Sequence, residues 1–349
     1  MKVLLPLALL AVAACGDLPP APRILPLNRV NAPGVLLSPT GSSVVTNPVW
    51  SADGSRVYVG LAMPAGSAYE GIHEITVSSH ADRVLIGSVT PSSLRISPNG
   101  GLLYFTNVGA LWRILSGGGA LQEVRGQVAY LVHLTDDSTG LVFDWPNSDS
   151  VWVIGSQSGT ATALPPGGPL VYSPAGDQML YCCSGTGGSA SSTIVVSLLD
   201  GTTRPSGLTV ASGAYWVGTR WGADGIEMLL AHYHPNSWRV DYTILGPAGS
   251  ETAAFSDTIA APTYVLVWSP DGSRVAFWKS ACVSWYSSIG ECGVHSALYV
   301  ADLHTGVTTW VAGSDFDAEF GDIACPIFSP DGRALMYVLG GQLYFLRIP

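Results

Sequence analysis

Two groups of side chains are of types that bind metal ions and lie close enough in the sequence to share one ion. His232 and His234 are separated by one residue, so in an extended strand both imidazoles point to the same side. Together with His295 they could complete a three-histidine metal site. A second group offers four carboxylates within eight residues, a ligand type that suits Ca²⁺: Asp315, Asp317, Glu319 and Asp322.

Neither group has the spacing of an established metal motif. The acidic group lacks the glycine position of an EF-hand loop, and a solvated acidic loop is the alternative interpretation. Nucleophile-elbow, phosphate-loop and dinucleotide-binding motifs are absent from the sequence, so we expect a protein without a cofactor. Only 11% of the 349 residues are charged and the net charge is −10, which argues against nucleic acid as a partner.

The elements that must carry these side chains form a repeat. An apolar residue followed by a Ser-Pro-Asp-Gly-like turn occurs seven times, at intervals of 38 to 60 residues. The copies begin at Trp50, Ile96, Leu134, Tyr172, Trp221, Trp268 and Phe328. Proline, aspartate and glycine favour tight turns, and a short apolar run follows each turn, so each copy predicts a hairpin.

A second, weaker hairpin follows in most copies, which makes four strands in each repeat. Repeats of this length are typical of propeller blades. The sequence therefore predicts an all-β fold: a seven-bladed β-propeller of four-stranded antiparallel blades, closed by an N-terminal strand. Either Ile24 to Val30 or Gly34 to Leu37 could supply that strand, because the last repeat has too few strands of its own.

The repeated motif resembles a known family. Trp268-Ser-Pro-Asp-Gly272 leading to Phe277, and Phe328-Ser-Pro-Asp-Gly332 leading to Tyr337, resemble the TolB-type WD-like β-propeller repeat. Members of this broad group include a periplasmic interaction protein, peptidase domains and oligogalacturonate lyases. The resemblance is specific for fold, and the copies at Leu134 and Trp221 are degenerate.

Propeller geometry separates two faces of the predicted ring. The short Ser-Pro-Asp-Gly turns occupy one face, and loops of variable length occupy the other, where ligand-binding residues are expected. The alternative is that these side chains only pack their own loops. The candidates on the variable face are His73, Asp144, Trp145, Asp149, His232, Tyr233, His234, Trp238, Trp285, Tyr286, Glu291 and His295.

The N-terminal segment has the pattern of a lipoprotein address. Residues 1–14 contain an apolar run too short to span a bilayer, and small residues precede Cys15, the expected lipidation site. Residues 15–26 form a Pro-rich tether, and residues 27–349 form the propeller. An ordinary signal peptide is the alternative. We expect a monomer in the bacterial envelope that is attached to the membrane only by its lipid anchor. We expect it at the outer membrane, facing the periplasm or the cell surface.

The remaining cysteines fit an exported protein. Cys282 and Cys292 flank a nine-residue insertion, Val283 to Glu291, and a disulfide between them would close that loop. The states of Cys182, Cys183 and Cys325 stay open.

Two functions from different classes follow. The first is a non-catalytic interaction scaffold for an envelope protein or peptide. The second is a polysaccharide-binding protein or an oligogalacturonate-lyase-like enzyme that uses the variable face.

Overall fold

The computed structural model describes residues 34–348 with several gaps. The gaps are 63–69, 98, 129, 135–140, 145–150, 155–160, 165–166, 174–175, 184–190, 212, 235–238, 259–265, 287–290, 314–325 and 340. The proposed signal segment, tether and Cys15, and the alternative latch at Ile24 to Val30, therefore lie outside the described residues. Within the described part, no helix is long and apolar enough to cross a membrane.

The described elements are short β-strands. The first fourteen are β1 (Val35–Leu36), β2 (Ser43–Val44), β3 (Val49–Trp50), β4 (Arg56–Ala62), β5 (Gly71–Thr76), β6 (Asp82–Gly87), β7 (Ser93–Ile96), β8 (Leu102–Asn107), β9 (Ala110–Leu115), β10 (Gln122–Gly126), β11 (Tyr130–Leu134), β12 (Leu141–Asp144), β13 (Val151–Ile154) and β14 (Ala161–Ala163). The others are β15 (Gly167–Tyr172), β16 (Gln178–Cys183), β17 (Ser191–Ser197), β18 (Thr203–Val210), β19 (Ala214–Gly222), β20 (Gly225–His234), β21 (Arg239–Leu245), β22 (Glu251–Thr258), β23 (Leu266–Trp268), β24 (Arg274–Tyr286), β25 (Glu291–Asp302), β26 (Thr308–Gly313), β27 (Ile327–Phe328), β28 (Ala334–Leu339) and β29 (Gln342–Arg347).

The prediction of seven uniform four-stranded blades is wrong. Six sheets have four strands: β7–β10, β11–β14, β15–β18, β19–β22, β23–β26, and β27–β29 with β1. The sheet formed by β2 to β6 has five strands, because β2 and β3 both pair with β4. The structure thus has six four-stranded blades and one sheet that departs from this pattern.

The extra strand results from a shift in the pairing register with β4. Val44 pairs with Leu61 and Val49 pairs with Tyr58, so the four residues between β2 and β3 lie opposite only two residues of β4, as in a bulge. At the interruption, the Thr46 hydroxyl accepts a hydrogen bond from the Gly60 backbone N–H, with an N–O distance of 2.8 Å. A side chain therefore replaces part of the missing ladder.

The two complete Ser-Pro-Asp-Gly turns join β23 to β24 and β27 to β28, and a serine organises each of them. Between β23 and β24, the Ser269 hydroxyl donates to the Asp271 carboxylate at 2.6 Å and accepts from the Arg274 backbone N–H at 3.0 Å. Asp271 also accepts from the Ser273 backbone N–H at 3.0 Å. These bonds hold the pKa of Asp271 at about 2, with the Ser269 bond as the largest cause.

Neighbouring sheets pack face to face through buried apolar side chains. Between β19–β22 and β23–β26, Tyr242 stacks on Phe255 at a centroid distance of 4.3 Å, and Phe255 lies 5.8 Å from Phe277. The last sheet packs in the same way on the sheet of β2 to β6, where Met336 and Val59 belong to one cluster. The sheets therefore close on themselves as a β-propeller, which leaves few sheet faces for charged residues.

The first described strand joins the last sheet and so closes the ring of sheets. Val35 pairs with Phe345 and Leu36 pairs with Tyr344, so β1 is the outer strand of the sheet that contains β27, β28 and β29. Ser38 extends the junction, because its hydroxyl accepts a hydrogen bond from the Leu343 backbone N–H at 3.0 Å.

Candidate functional site

Two of the predicted site residues, His73 and Tyr233, belong to the packing of the sheets. His73 lies within β5 and is fully buried, with its Nδ1 atom 2.8 Å from an Asp82 carboxylate oxygen. Its side chain is part of the packing of the sheet and has no solvent-accessible surface. Tyr233 lies on β20 and packs against the apolar cluster between β19–β22 and β23–β26.

Most of the other predicted residues lie wholly or partly outside the described part. Trp145, Asp149 and Trp238 lie outside the described residues, as do the acidic residues Asp315, Asp317, Glu319 and Asp322 and the cysteine Cys325. Only the backbone is described at a further set: Asp144, Cys182, Cys183, Cys282, Trp285, Tyr286, Glu291, Cys292 and His295. The predicted convergence of His232, His234 and His295 on a metal stays a prediction.

The insertion around Cys282 and Cys292 differs from the predicted nine-residue loop. β24 continues to Tyr286 and β25 begins at Glu291, so most of the insertion extends the hairpin. In this register Cys282 lies opposite Val294 and Cys292 lies opposite Trp285. The disulfide between the two cysteines stays a prediction.

His232 and His234 lie on one side of the β19–β22 sheet, in a group that we name the His232 face. It comprises Trp216, His232, His234, Arg239, Asp241, Thr243, Glu251 and Ser256. The strand register produces it: His232 pairs with Ala214 and Asp241, and Asp241 pairs with Ser256. Paired residues of antiparallel strands project to the same side of a sheet. The same side is apolar further along β20, where Met228 and Leu230 pack in a cluster with Leu180 of the neighbouring sheet.

The first part of the His232 face is a triangle of hydrogen bonds. The His232 Nε2 atom lies 2.9 Å from the Thr243 hydroxyl and 3.1 Å from Glu251 Oε2. The Thr243 hydroxyl donates to the same Glu251 oxygen at 3.0 Å. The side chains of His232 and Glu251 keep 32% and 35% exposure, so a ligand in solvent can reach both.

The second part of the His232 face is centred on Asp241. Its Oδ1 atom accepts from the Ser256 hydroxyl at 2.6 Å and from Arg239 Nε at 2.7 Å. Its Oδ2 atom lies 2.8 Å from His234 Nε2. The Ser256 hydrogen bond is the largest cause, with Arg239 and His234 contributing, of an Asp241 pKa lowered to about 2. Asp241 is therefore a fixed anion that orients Arg239.

Two exposed aromatic residues beside this network were not among the predicted site residues. Tyr215 and Trp216 on β19 have 47% and 38% exposure. Trp216 pairs with Leu230 and projects to the His232 side, whereas Tyr215 pairs with Ala231 and projects to the other side. Both residues lie at the start of a strand, directly after a loop, and this position could have indicated exposure. The alternation of side chains along a strand does not by itself distinguish exposed from buried aromatic residues.

The arrangement supplies groups for binding and for proton transfer. Arg239 offers a planar donor set, the two histidines can donate or accept, and Trp216 offers an aromatic surface. Within the described ranges, no group of three or more histidine, cysteine, aspartate or glutamate side chains could hold a metal ion.

Comparison with known proteins shows the fold. No protein-family model matches the chain, and no curated protein matches it. An oligogalacturonate lyase solved in complex with manganese superposes with a TM-score of 0.65 and 18% identity, over 90% of this chain and 92% of that one. The oligogalacturonate lyase of Vibrio parahaemolyticus gives a TM-score of 0.64 and 14% identity, over 90% and 93%.

The matches to the two lyase structures support the predicted resemblance only as far as the β-propeller fold, and not a specific TolB-type family. A TolB-like protein from Agrobacterium tumefaciens matches with 16% identity over 79% of this chain and 96% of that one, at a TM-score of only 0.44. The identities to these structures are low, so substrates and metals remain properties of those proteins. The chain has the fold of a β-propeller.

Proposed function

We propose that this protein is a non-catalytic interaction scaffold that binds a protein or peptide partner at the His232 face. The β-propeller supplies a rigid support, and the His232 face supplies the contacts. We also propose that the protein is a lipoprotein of the bacterial envelope, anchored through Cys15, because small residues precede that cysteine and a Pro-rich segment follows it.

The observation that carries the proposal is the exposure of Trp216 next to an ordered polar network. Tryptophan, tyrosine and arginine are enriched among the residues that dominate protein–protein binding energy. Here Trp216 and Arg239 lie on the same side of one sheet, and Asp241 holds the guanidinium of Arg239 before any partner arrives. An oriented side chain loses less conformational entropy on binding than a mobile one.

A second candidate function is polysaccharide binding or lyase chemistry at the same surface. The observation in its favour is that His232 and His234 each contact a carboxylate, Glu251 and Asp241 respectively. Histidine oriented by a carboxylate can act as a general base. This candidate requires that oligogalacturonate or another polysaccharide fragment be bound or cleaved.

Site-specific photo-crosslinking of the full-length protein tests the interaction function. A photoreactive amino acid replaces Trp216, and a control protein carries it at Val307, which has 58% exposure in a turn between β25 and β26. We expect a discrete crosslinked protein at position 216 only, identified by mass spectrometry of envelope fractions. Equal crosslinking at both positions would contradict the proposal.

Calorimetry with oligosaccharides tests the second function. Oligogalacturonate is titrated into the full-length protein, and into a His232→Ala variant with His304→Ala as the exposed-histidine control. Binding that disappears only in His232→Ala, together with unsaturated product, would support the lyase function. If oligogalacturonate gives neither a heat of binding nor an unsaturated product, the second function is excluded.

A further inference from the structure

We propose that the group of the partner that the His232 face recognises is a cationic side chain, lysine or arginine, which pairs with Glu251 beside Trp216. This inference rests on the proposed interaction function. It adds the chemical class of the ligand group, which neither the fold nor the comparisons specify.

The two carboxylates of the face differ in how their charge is matched. Asp241 contacts Arg239, Ser256 and His234, so a permanent cation already neutralises it. Glu251 contacts only His232 and Thr243 in the part of the chain that the structure describes. Both of those contacts end on Oε2, and Oε1 makes no hydrogen bond to a described residue. Glu251 therefore retains a negative charge and acceptor capacity.

The surroundings of Glu251 favour a cation over an anion. Arg239 directs its Nε atom at Asp241, at 2.7 Å, and its Nη2 atom at Ser256, at 3.3 Å, so its positive charge is already matched by a carboxylate of the same face. An anionic ligand, such as an acidic sugar or a phosphate, would meet the unmatched charge of Glu251. A cation would instead gain a charge-assisted hydrogen bond to the carboxylate.

Trp216 adds an aromatic surface on the same side. It lies on β19 two positions along from Ala214, the residue that pairs with His232. Diagonal neighbours in adjacent strands are about 7–8 Å apart between Cα atoms, within the reach of large side chains. A lysine or arginine aliphatic stem can lie over an indole ring while its charged end reaches a carboxylate, and a cation over tryptophan is itself attracted to the ring.

Titration calorimetry with three peptide probes tests the ligand class on the full-length protein in detergent. The probes are glycine-flanked trilysine, the same peptide with acetylated lysines, and triglutamate. We expect the trilysine peptide to bind about tenfold more tightly than the acetylated one, as loss of a charge pair predicts, and triglutamate to bind more weakly still.

Variants assign the effect to Glu251. Glu251→Gln keeps the shape of the side chain and should weaken only trilysine, about tenfold, whereas Glu123→Gln, an exposed carboxylate on β10, should change nothing. Trp216→Ala should weaken trilysine and the acetylated peptide. Thermal unfolding of each variant checks that the fold is kept.

The outcomes separate the inference from the proposed function. If trilysine and acetylated trilysine bind equally and Glu251→Gln has no effect, the cationic ligand is wrong, yet specific crosslinking at position 216 would leave the interaction function intact. Preference for triglutamate, or no binding of any probe, would also overturn the inference. Failure of the crosslinking experiment would remove the interaction function itself.

Discussion

The guanidinium of Arg220 lies 4.8 Å from the centroid of the Trp268 ring, across the boundary between the β19–β22 and β23–β26 sheets. Arg220 also contacts Glu227 of its own sheet and donates to the Asp271 carbonyl oxygen at 3.4 Å. The guanidinium thus covers the turn at Gly272. A Cβ atom at that glycine would lie 1.1 Å from Arg220 Nη1.

Gly272→Ala should destabilise the protein through this contact. Gly272 has a φ of +72°, and Gly332 in the equivalent turn has +70° but only Pro270 near its would-be Cβ, at 3.7 Å. We expect Gly332→Ala to cost about 1–2 kcal/mol from the left-handed backbone alone. Gly272→Ala should cost about 1 kcal/mol more, because Arg220 must leave Trp268.

Urea unfolding of both variants measures the difference. In an Arg220→Ala background the extra cost of Gly272→Ala should disappear, because the obstructing side chain is gone. If the extra cost persists there, the contact with Arg220 is not its cause.

Gly34→Ala should loosen the closure between β1 and β29. Gly34 and Gly41 share a φ of +83°, but a Cβ at Gly34 would lie 2.1 Å from the Phe345 carbonyl oxygen, whereas Gly41 has open space. A backbone atom cannot move aside without disturbing the pairing. We expect Gly41→Ala to cost about 1–2 kcal/mol and Gly34→Ala clearly more. Hydrogen exchange of residues 342–347 should rise only in Gly34→Ala; equal exchange in both variants would contradict this role.

Acid should weaken the turns that contain aspartate. The pKa of Asp271 in the folded protein is about 2, below its ordinary value of 3.8. A lowered folded-state pKa stabilises the fold above the ordinary value, and this stabilisation is lost as the pH falls from about 4 towards 2. Asp271→Asn should therefore reduce the fall in melting temperature over this interval.

The chain provides its own converse control at Asn99. Asn99 accepts from the Ser97 hydroxyl at 2.7 Å and the Gly101 backbone N–H at 3.0 Å, the same kinds of donors that Asp271 has. Asn99→Asp should make the melting temperature fall more steeply below about pH 4. Unchanged pH profiles in both variants would show that these turns do not contribute to acid sensitivity.

Phe277→Ala should be the most damaging of these substitutions. Phe277 is fully buried and its ring lies 5.8 Å from Phe255 and 5.9 Å from Tyr299. Truncation of a buried phenylalanine costs about 3–5 kcal/mol. Val307→Ala, at an exposed position, should cost less than about 0.5 kcal/mol. Urea unfolding compares the two, and similar midpoints would refute the assigned core.

Turn chemistry is the part of the fold that the sequence predicts best, because a serine, an aspartate and a glycine specify it locally. Even there one copy differs. In the copy that begins at Tyr172, the aspartate that accepts from the serine lies after the glycine, and Ser173 donates to Asp177 at 2.7 Å. The division into β2 and β3 escaped prediction, because it results from a two-residue shift in pairing with β4, and the register of a strand depends on its partner.

The candidate site could be predicted only in part. The alternation of His232 and His234 predicts that both lie on one side of a strand, and the register bears this out. Their partners Glu251 and Asp241 lie on other strands, so their contacts depend on pairing register, which the sequence does not state. For the same reason the burial of His73 and the exposure of Trp216 follow only from the packing of neighbouring sheets.

The junction of β1 with β29 also has a consequence for the kinetics of folding. Ser38 and Leu343 are 305 residues apart along the chain, yet they are hydrogen-bonded in the folded protein. Contacts of high sequence separation form slowly, since loop-closure entropy must be overcome before the contact stabilises anything. We therefore expect sheets built from consecutive strands to form early and the β1–β29 sheet to form last, with an open arc of blades as the intermediate.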